Sequence, residues 1–330
     1  MRVLFWGTPD FALPAIRTVA RAGHIIAGVV TRPDRPRGRG RKASPSPVKR
    51  WAAARGYTVL TPEAPRGDAF LDMVRAIAAD ISVVVAYGRI LPRPVLDAPR
   101  HGSVNLHASL LPALRGAAPI NWAIARGHAA TGVTVMRMVT EMDAGPILAQ
   151  AEVPIGRVDT VALLSRRLSG LGADLVAETL ARLEAGAVDE IEQDHAAATY
   201  APKVDRTAAR IDWTGESRAV GCLIRGMDDV PGAWTVWKGQ PVKLFAPEPV
   251  EDGNVAGRQS AAGRDTWRES AAGRPPDPGR VLATDPRHGL VVATGRGALR
   301  IGEVLPPGKR RMESAAWLRG GGPRAGERFE

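Results

Sequence analysis

A short segment that begins at residue 103 holds the residue types best suited to proton transfer. Residues 104–107 (Val-Asn-Leu-His) alternate apolar and polar side chains, which predicts a strand with Asn105 and His107 on one face. Side chains two positions apart on a strand lie about 7 Å from each other, so they can hold one small group together. Asn105 supplies an amide donor, and His107 donates when protonated or accepts when neutral.

A carboxylate follows in the same segment. Residues 119–126 predict a short helix, residues 132–138 a strand, and residues 146–150 its return. The loop between these two strands carries Glu141 and Asp143. A carboxylate beside an imidazole fixes the tautomer of the ring and stabilises its cationic form.

The combination of Asn105, His107 and Asp143 indicates one type of chemistry. No Ser or Cys stands out as a nucleophile beside these side chains. We therefore expect stabilisation of a developing oxyanion together with proton transfer, rather than a covalent intermediate.

Alternating strand and helix patterns in the first half of the chain predict where these residues lie. Such βα units imply a doubly wound, mostly parallel sheet that binds ligands beyond the carboxyl ends of its strands. His107 and the segment 87–91 fall at that edge. The predicted strands are Val3–Trp6, Ile25–Val30, Tyr57–Leu60 and Ile81–Tyr87, and the predicted helices are Asp10–Arg21, Pro47–Arg55 and Asp68–Ala79.

The turn after the first strand does not indicate a nucleotide loop. Gly7-Thr8-Pro9 contains one glycine and matches neither G-x-G-x-x-G nor G-K-[ST]. We interpret it as a tight strand-to-helix turn.

Several motifs resemble the signature of the folate-dependent formyltransferases. They are Asn105-Leu-His107, Ser109-Leu-Leu-Pro112, Arg115-Gly-Ala-Ala-Pro119 and Asp143-x-Gly145. Further motifs narrow the resemblance to the branch that formylates methionyl-tRNA, and they run nearly end to end: Gly7–Phe11, Pro33–Pro36, Pro45–Lys49, Ala86–Gly88, Arg210–Trp213 and Gly239–Lys243.

The resemblance implies an enzyme that transfers a formyl group from 10-formyltetrahydrofolate to the α-amino group of methionyl-initiator-tRNA, for translation initiation. Asn105 and protonated His107 would hold the oxyanion, and Asp143 would assist proton transfer. Arg115 would shape the neighbouring turn, where it either meets an anion or forms a structural salt bridge. The residues expected to bind the folate are Arg89, Ile90, Leu91, Ser109, Leu110, Leu111, Pro112, Val139, Thr140, Glu141, Met142 and Asp143.

Residues 31–50 are basic and rich in Pro and Gly, with eight basic side chains and one acidic side chain. They are too many for an ordinary βα connection. Composition alone leaves open a solvated loop without a function or a loop that binds RNA phosphates. The resemblance favours contact with the acceptor end of the tRNA, and the residues expected to bind it are Arg35, Arg37, Arg39, Arg41 and Lys42.

The sequence predicts two domains. We expect a catalytic domain at 1–188 with the RNA-binding loop 31–50, a linker at 189–205, and a C-terminal domain at 206–330 with a flexible insertion at 251–279. Short strands in the C-terminal half predict a small β-barrel, and the resemblance implies an OB-like fold that binds tRNA. A helical pattern at 159–186 has Gly170 as the point where it could break, and residues 310–319 predict a closing helix.

Composition bounds the cellular setting. The net charge of +11 favours a polyanionic partner, and the single cysteine, Cys222, excludes an intramolecular disulfide and suits a reducing compartment. No apolar run is long enough to cross a membrane. We expect a cytoplasmic monomer without a metal, because no group of Cys, His or carboxylate residues shows ligand spacing. His24, His101, His128, His195 and His288 are interpreted as surface or packing residues.

Two competing hypotheses remain at this stage. The first is a formyltransferase that acts on a nucleotide or an amino sugar, and the basic segment with the appended β-domain disfavours it. The second is a non-catalytic RNA-binding protein with the same fold, and the intact Asn105, His107 and Asp143 disfavour that one.

Overall fold

The computed structural model describes residues 1–37, 42–250, 277–285 and 289–330. The chain forms two compact units. The first consists of residues 1–120, 130–154 and 163–203, and the second of residues 121–129, 155–162 and 204–330. Residues 251–276 of the expected insertion 251–279 lie outside the described residues, and so does His288.

The first unit is built on a seven-stranded sheet in the order β5-β2-β1-β6-β7-β8-β9. The first five strands of this order pair in parallel. Strand β8 pairs antiparallel with both of its neighbours, β7 and β9. This confirms the predicted doubly wound, mostly parallel sheet. The strands are β1 (Arg2–Gly7), β2 (Ile25–Val30), β3 (Arg35–Arg37), β4 (Lys42–Ser44), β5 (Val59–Leu60), β6 (Ile81–Val85), β7 (Ser103–His107), β8 (Ala130–Arg137) and β9 (Ile147–Pro154).

Helices connect these strands, and several of the helices begin at residues that favour a helix N-terminus. The Ser46 side chain caps the second helix by accepting a hydrogen bond from the backbone N–H of Lys49. Proline occupies the first turn of four of these helices, where its missing N–H costs nothing. The helices are α1 (Leu13–Arg21), α2 (Pro47–Ala53), α3 (Asp68–Ala76), α4 (Arg93–Leu96), α5 (Pro119–Ala125) and α6 (Val161–Glu184). The last of these continues through Gly170 without a break.

The centre of the sheet is buried on both faces, as expected from the continuous apolar run at residues 3–6. Trp6 packs edge-on against Phe70 and Tyr87, with ring centroids 6.1 and 5.3 Å away. Its indole N–H donates to the hydroxyl of Ser82 over 3.0 Å, so this polar atom is satisfied within the core.

Strand β7 places its polar residues by burying the alternate ones. Val104 and Leu106 are 1% and 3% exposed. A Cβ atom added to Gly172 of α6 would lie 2.7 Å from a methyl group of Leu106. The absence of a side chain at Gly172 therefore lets α6 approach the strand that carries Asn105 and His107.

The second unit is an antiparallel, OB-like β-structure. Its sheet runs in the order β10-β11-β14-β13-β12, with β15 paired to β14, around a core that contains Trp213, Leu244 and Phe329. These elements are α7 (Ser217–Gly226), β10 (Trp234–Trp237), β11 (Gln240–Val250), β12 (Val281–Asp285), β13 (Gly289–Ala293), β14 (Ala298–Leu305), β15 (Met312–Glu313) and α8 (Ser314–Arg319). The prediction of one helix over 310–319 is wrong at its start, because Met312 pairs with Val304 in the sheet.

Among the residues that the structure describes, no helix combines the length and the apolar character needed to cross a bilayer.

Because α6 packs closely on β7, replacing glycine by leucine should change the free energy of unfolding in opposite directions at two nearby positions of α6. Gly172→Leu should lower the free energy of unfolding by about 1 to 3 kcal/mol, because the side chain overpacks against Leu106. Gly170→Leu, in the same helix, should raise it by somewhat less than about 1 kcal/mol, because no atom lies within 4 Å of the added Cβ and leucine is the better helix former. Urea unfolding of both variants measures the difference. Equal effects would show that Gly172 is not needed for the packing.

Candidate active site

His107 is the last residue of β7, and its ring is fixed on one side by a backbone carbonyl. Nε2 lies 3.0 Å from the oxygen of Leu114, and the side chain is 6% exposed. A carbonyl only accepts hydrogen bonds, so Nε2 carries the hydrogen and donates it. This assignment leaves Nδ1 as the ring atom that gains or loses a proton.

Asp143 faces that second nitrogen. Its Oδ2 lies 3.6 Å from His107 Nδ1 and accepts a hydrogen bond of 2.8 Å from the backbone N–H of Gly116. Asp143 has φ 53°, a left-handed conformation that Asp tolerates better than most residues. Within the described residues, the other carboxylate oxygen, Oδ1, makes no hydrogen bond. One oxygen is thus anchored and the other is available.

The loop that carries Asp143 returns along β7. Strand β8 runs antiparallel to β7 and ends with Arg137 opposite Val104, at the start of β7. The following loop then brings Asp143 back to His107 at the other end of the strand. Gly145 is required on this path, because a Cβ atom there would lie 2.1 Å from the carbonyl oxygen of Arg137.

Asn105 lies two positions before His107 on the same face of β7, as the alternation predicted. Its side chain is half-buried and forms no hydrogen bond to any part of the chain that the structure describes. The donor is therefore available to a ligand.

Gln193 fixes the Asp143 loop, a contact that the sequence analysis did not predict. Its side-chain Nε2 donates to the carbonyl oxygens of Asp143 and Gly145 over 3.0 and 2.7 Å. The residue is only 5% exposed, although it lies in the segment 189–205 that was expected to be a linker. The one available signal was an amide residue five positions beyond the predicted end of the catalytic domain.

Arg115 holds Gln193 from the other side. Its Nε and Nη2 donate to Gln193 Oε1 over 3.1 and 2.6 Å, and Nη2 lies 3.0 Å from His195 Nδ1. Arg115 is 4% exposed, and in the described part of the chain no carboxylate lies within 4 Å of it. The described part of the chain therefore does not form the expected salt bridge with Arg115, whose partners are an amide oxygen and an imidazole nitrogen.

The residues expected to bind folate differ in how far their side chains are exposed to solvent. Ser109 and Leu111 are buried, and Ser109 Oγ donates to the carbonyl oxygen of Ala113, so the side chains of both serve the fold. Ile90 and Met142 are 85% and 61% exposed, which is unusual for apolar side chains of their size. The remaining ones are the buried Leu91, the half-buried Arg89, Leu110, Pro112, Val139 and Asp143, and the exposed Thr140 and Glu141.

The cationic side chain of Arg32 lies next to the expected folate-binding residues, at the carboxyl edge of the sheet. Burial lowers the pKa of Arg32, and the charges of Arg35 and Arg89 lower it further. Burial raises the pKa of Tyr87, while Arg89 and Arg32 act in the opposite direction. The side-chain Nε of Arg32 and the hydroxyl of Tyr87 are buried and find no hydrogen-bond partner among the described residues. This edge of the sheet therefore favours an anion.

Of the residues expected to bind tRNA, Arg35 has an exposed side chain. The backbone of Arg37 and Lys42 forms the two-stranded β3-β4 sheet, in which these two residues pair with each other. Arg39 and Arg41 lie outside the described residues. In the described ranges, no group of three or more His, Cys, Asp or Glu residues comes together as a metal site would need.

Comparison with known proteins identifies the family. The model of the formyl transferase family matches residues 1–180, and that of the formyl transferase C-terminal domain matches residues 203–322. The methionyl-tRNA formyltransferase of Bacillus licheniformis is 41% identical over 326 residues, which is 98% of this chain and 96% of that protein. The chain belongs to the methionyl-tRNA formyltransferase family. It is thus a formyl-transferring enzyme.

Solved structures agree with this family at the level of fold. WlaRD, a sugar 3N-formyl transferase crystallised in the presence of dTDP and 5-N-formyl-THF, aligns with a TM-score of 0.65 at 14% identity, over 94% of this chain and 99% of that chain. HypX from Aquifex aeolicus, in complex with tetrahydrofolic acid, aligns with a TM-score of 0.59 at 20% identity, over 96% of this chain and 47% of that chain. The formyltransferase fold is therefore shared by proteins with very different sequences.

From the hydrogen bonds of Gln193 we predict that this residue positions the Asp143 loop of the formyltransferase. Gln193→Ala removes the donor to two carbonyl oxygens and the acceptor for Arg115. It should lower the free energy of unfolding by about 2 to 4 kcal/mol and reduce kcat for formyl transfer. The matched control is Glu192→Ala, since Glu192 is exposed and makes no side-chain hydrogen bond in the described part. Urea unfolding and steady-state kinetics of both variants test this, and a Gln193→Ala variant with normal kcat would contradict it.

Proposed function

We propose that the protein transfers the formyl group of 10-formyltetrahydrofolate to the α-amino group of initiator methionyl-tRNA. The observation that carries this proposal is the grouping of Asn105, His107 and Asp143, with an available amide donor and an imidazole nitrogen 3.6 Å from a carboxylate oxygen, in a chain of this family. The reaction needs those two groups, because it creates an oxyanion and moves a proton.

The attack forms a bond between the amine nitrogen and the formyl carbon, and the carbonyl oxygen becomes an oxyanion. Asn105 donates its amide N–H to this oxygen, and protonated His107 donates from Nδ1, since the N–H of Nε2 is already bonded to Leu114. Donors aimed at developing charge lower the barrier, and losing one typically costs about 10² to 10³ in rate.

Collapse of the tetrahedral intermediate breaks the bond between the formyl carbon and N10 of the folate. The amine loses one proton, and N10 gains one. Oδ1 of Asp143, which has no hydrogen bond within the described residues, accepts the proton from the amine. His107 gives its Nδ1 proton to N10, and Asp143 then returns the proton to Nδ1. The anchored Oδ2 keeps the carboxylate in place during this transfer.

The choice of substrates rests on two further observations. The solved structures of HypX with tetrahydrofolic acid and of WlaRD with 5-N-formyl-THF support a folate-derived donor. The relative from Bacillus licheniformis and the basic segment 31–50 support an RNA acceptor. The exposed Ile90 and Met142 provide apolar surface for the pterin.

A formylation assay with initiator and elongator methionyl-tRNA tests this assignment. With 10-formyltetrahydrofolate as donor, we expect efficient formylation of the initiator. Formylation of an amino sugar nucleotide but of neither tRNA would replace the proposed acceptor, and no turnover with any acceptor would support a non-catalytic RNA-binding protein.

Substitutions in the three proposed catalytic residues should separate chemistry from binding. His107→Ala and Asn105→Ala should each lower kcat by about 10² or more, because both donors act on the transition state. Asp143→Asn should fold normally and lose activity, since an amide cannot accept the proton. Filter binding of tRNA should stay within about twofold of the unsubstituted protein. A normal kcat in any of the three would remove that residue from the mechanism.

The basic segment should control the salt dependence of tRNA binding. Replacing Arg35, Arg37, Arg39, Arg41 and Lys42 by Ser removes up to five phosphate contacts, and each lost contact should flatten the slope of log K against log[salt] by about 0.7 to 0.9. Arg66 and Arg100 are exposed and unpaired in the described structure, and their replacement by Ser serves as control. An unchanged slope in the five-residue variant would assign tRNA binding to other surfaces.

A further inference from the structure

A cavity lies on the surface of the first unit, between α1 and the end of α2. Its volume is about 550 Å³, which is within the range of small-molecule sites. Among the described residues, those proposed to act in catalysis, folate binding or tRNA binding do not line it. The lining residues are Pro14, Arg17, Ala20, Arg21, Trp51, Arg55 and Tyr57.

One wall of this cavity is aromatic. The rings of Trp51 and Tyr57 are stacked, with centroids 5.6 Å apart and an interplanar angle of 18°. The guanidinium of Arg55 lies over the Trp51 ring at 4.6 Å. Stacked aromatic rings combined with arginine form the surface on which proteins hold a nucleobase.

The rest of the rim is cationic and lacks counter-charges. Arg17 and Arg21 lie four residues apart on α1, an arrangement in which like charges repel each other. Arg21 donates to the hydroxyl of Thr18, and Arg55 to the carbonyl oxygen of Trp51. Within the described residues, none of the three arginines has a carboxylate within 4 Å, and the Arg17 side chain makes no hydrogen bond. An anion placed between them would relieve this repulsion.

One polar atom of the aromatic wall is buried without a partner among the described residues. It is the indole Nε1 of Trp51, in a residue that is 8% exposed. The hydroxyl of the half-buried Tyr57 makes no hydrogen bond to the part of the chain that the structure describes, and it is open to solvent or to a ligand. Buried polar groups in proteins are normally satisfied, so the indole N–H points to a ligand with a polar acceptor as well as an aromatic face.

We propose that this cavity binds a nucleoside phosphate. The base stacks against the half-buried ring of Tyr57, which is backed by Trp51, and the phosphate is held by Arg17, Arg21 and Arg55. Arginine suits this task because its planar fork of donors matches phosphate oxygens. The nucleotide is either a free mononucleotide or one unpaired residue of an RNA chain, and the chemistry of recognition is the same for both. The proposal rests on the cavity alone and does not depend on formyl transfer.

Calorimetric titration of the full-length protein tests the proposal. The probes are AMP, the oligonucleotide rA4, adenosine and inorganic phosphate. The variant Arg17→Glu/Arg21→Glu reverses both charges of α1, and Arg66→Glu/Arg100→Glu makes the same change of net charge away from the cavity. All four substituted arginines are exposed, so both variants should fold. Tyr57→Leu removes one aromatic ring and keeps the charges.

We expect AMP or rA4 to bind at least about tenfold more tightly than adenosine or phosphate, because base and phosphate are both recognised. The Arg17→Glu/Arg21→Glu variant should weaken binding by at least about tenfold, Tyr57→Leu should weaken it as well, and the control should change it less than about twofold.

Binding of AMP supports a free nucleotide, and binding of rA4 alone supports a residue of RNA. Phosphate that binds as tightly as AMP, no binding of either nucleotide, or an equal loss in the control would overturn the proposal. Formylation, measured in parallel, should be unchanged in both double variants.

Discussion

The site depends on the way in which His107 is held between a carbonyl oxygen and a carboxylate. The carbonyl of Leu114 fixes the hydrogen on Nε2, so only Nδ1 is left to exchange a proton. The same geometry aims Nδ1 at Asp143. A ring that could turn over, or a carboxylate that could move away, would leave the proposed reaction without a proton donor in a defined place.

That arrangement is imposed by contacts behind it. The carboxylate of Asp143 is anchored by the backbone N–H of Gly116, and the backbone of its loop is anchored by Gln193. Gln193 in turn is held by Arg115, a buried cation with uncharged partners. Leaving any one of these groups unpaired in the interior costs more than the bond itself contributes to stability, so the network holds as a unit.

The sequence predicted the parts of this account that follow from local pattern. Alternation placed Asn105 and His107 on one face of β7, and the apolar run at residues 3–6 predicted a strand buried on both sides. It did not predict the role of Gln193, because that contact joins positions 48 and 50 residues apart and carries no periodic signal. The short strand at Met312 was missed for the same reason, since its pairing with β14 is a tertiary contact that overrides helix propensity.

The central claim is that His107 and Asp143 act as one proton-transfer unit. A double-mutant cycle on single-turnover formyl transfer measures this coupling directly, with His107→Ala, Asp143→Asn and the two changes combined. The account predicts that the combined variant is no more than about threefold slower than the slower of the two single variants, because either change already disables the pair. If the rate reductions of the two single variants multiplied in the combined variant, His107 and Asp143 would act independently. That result would contradict the mechanism.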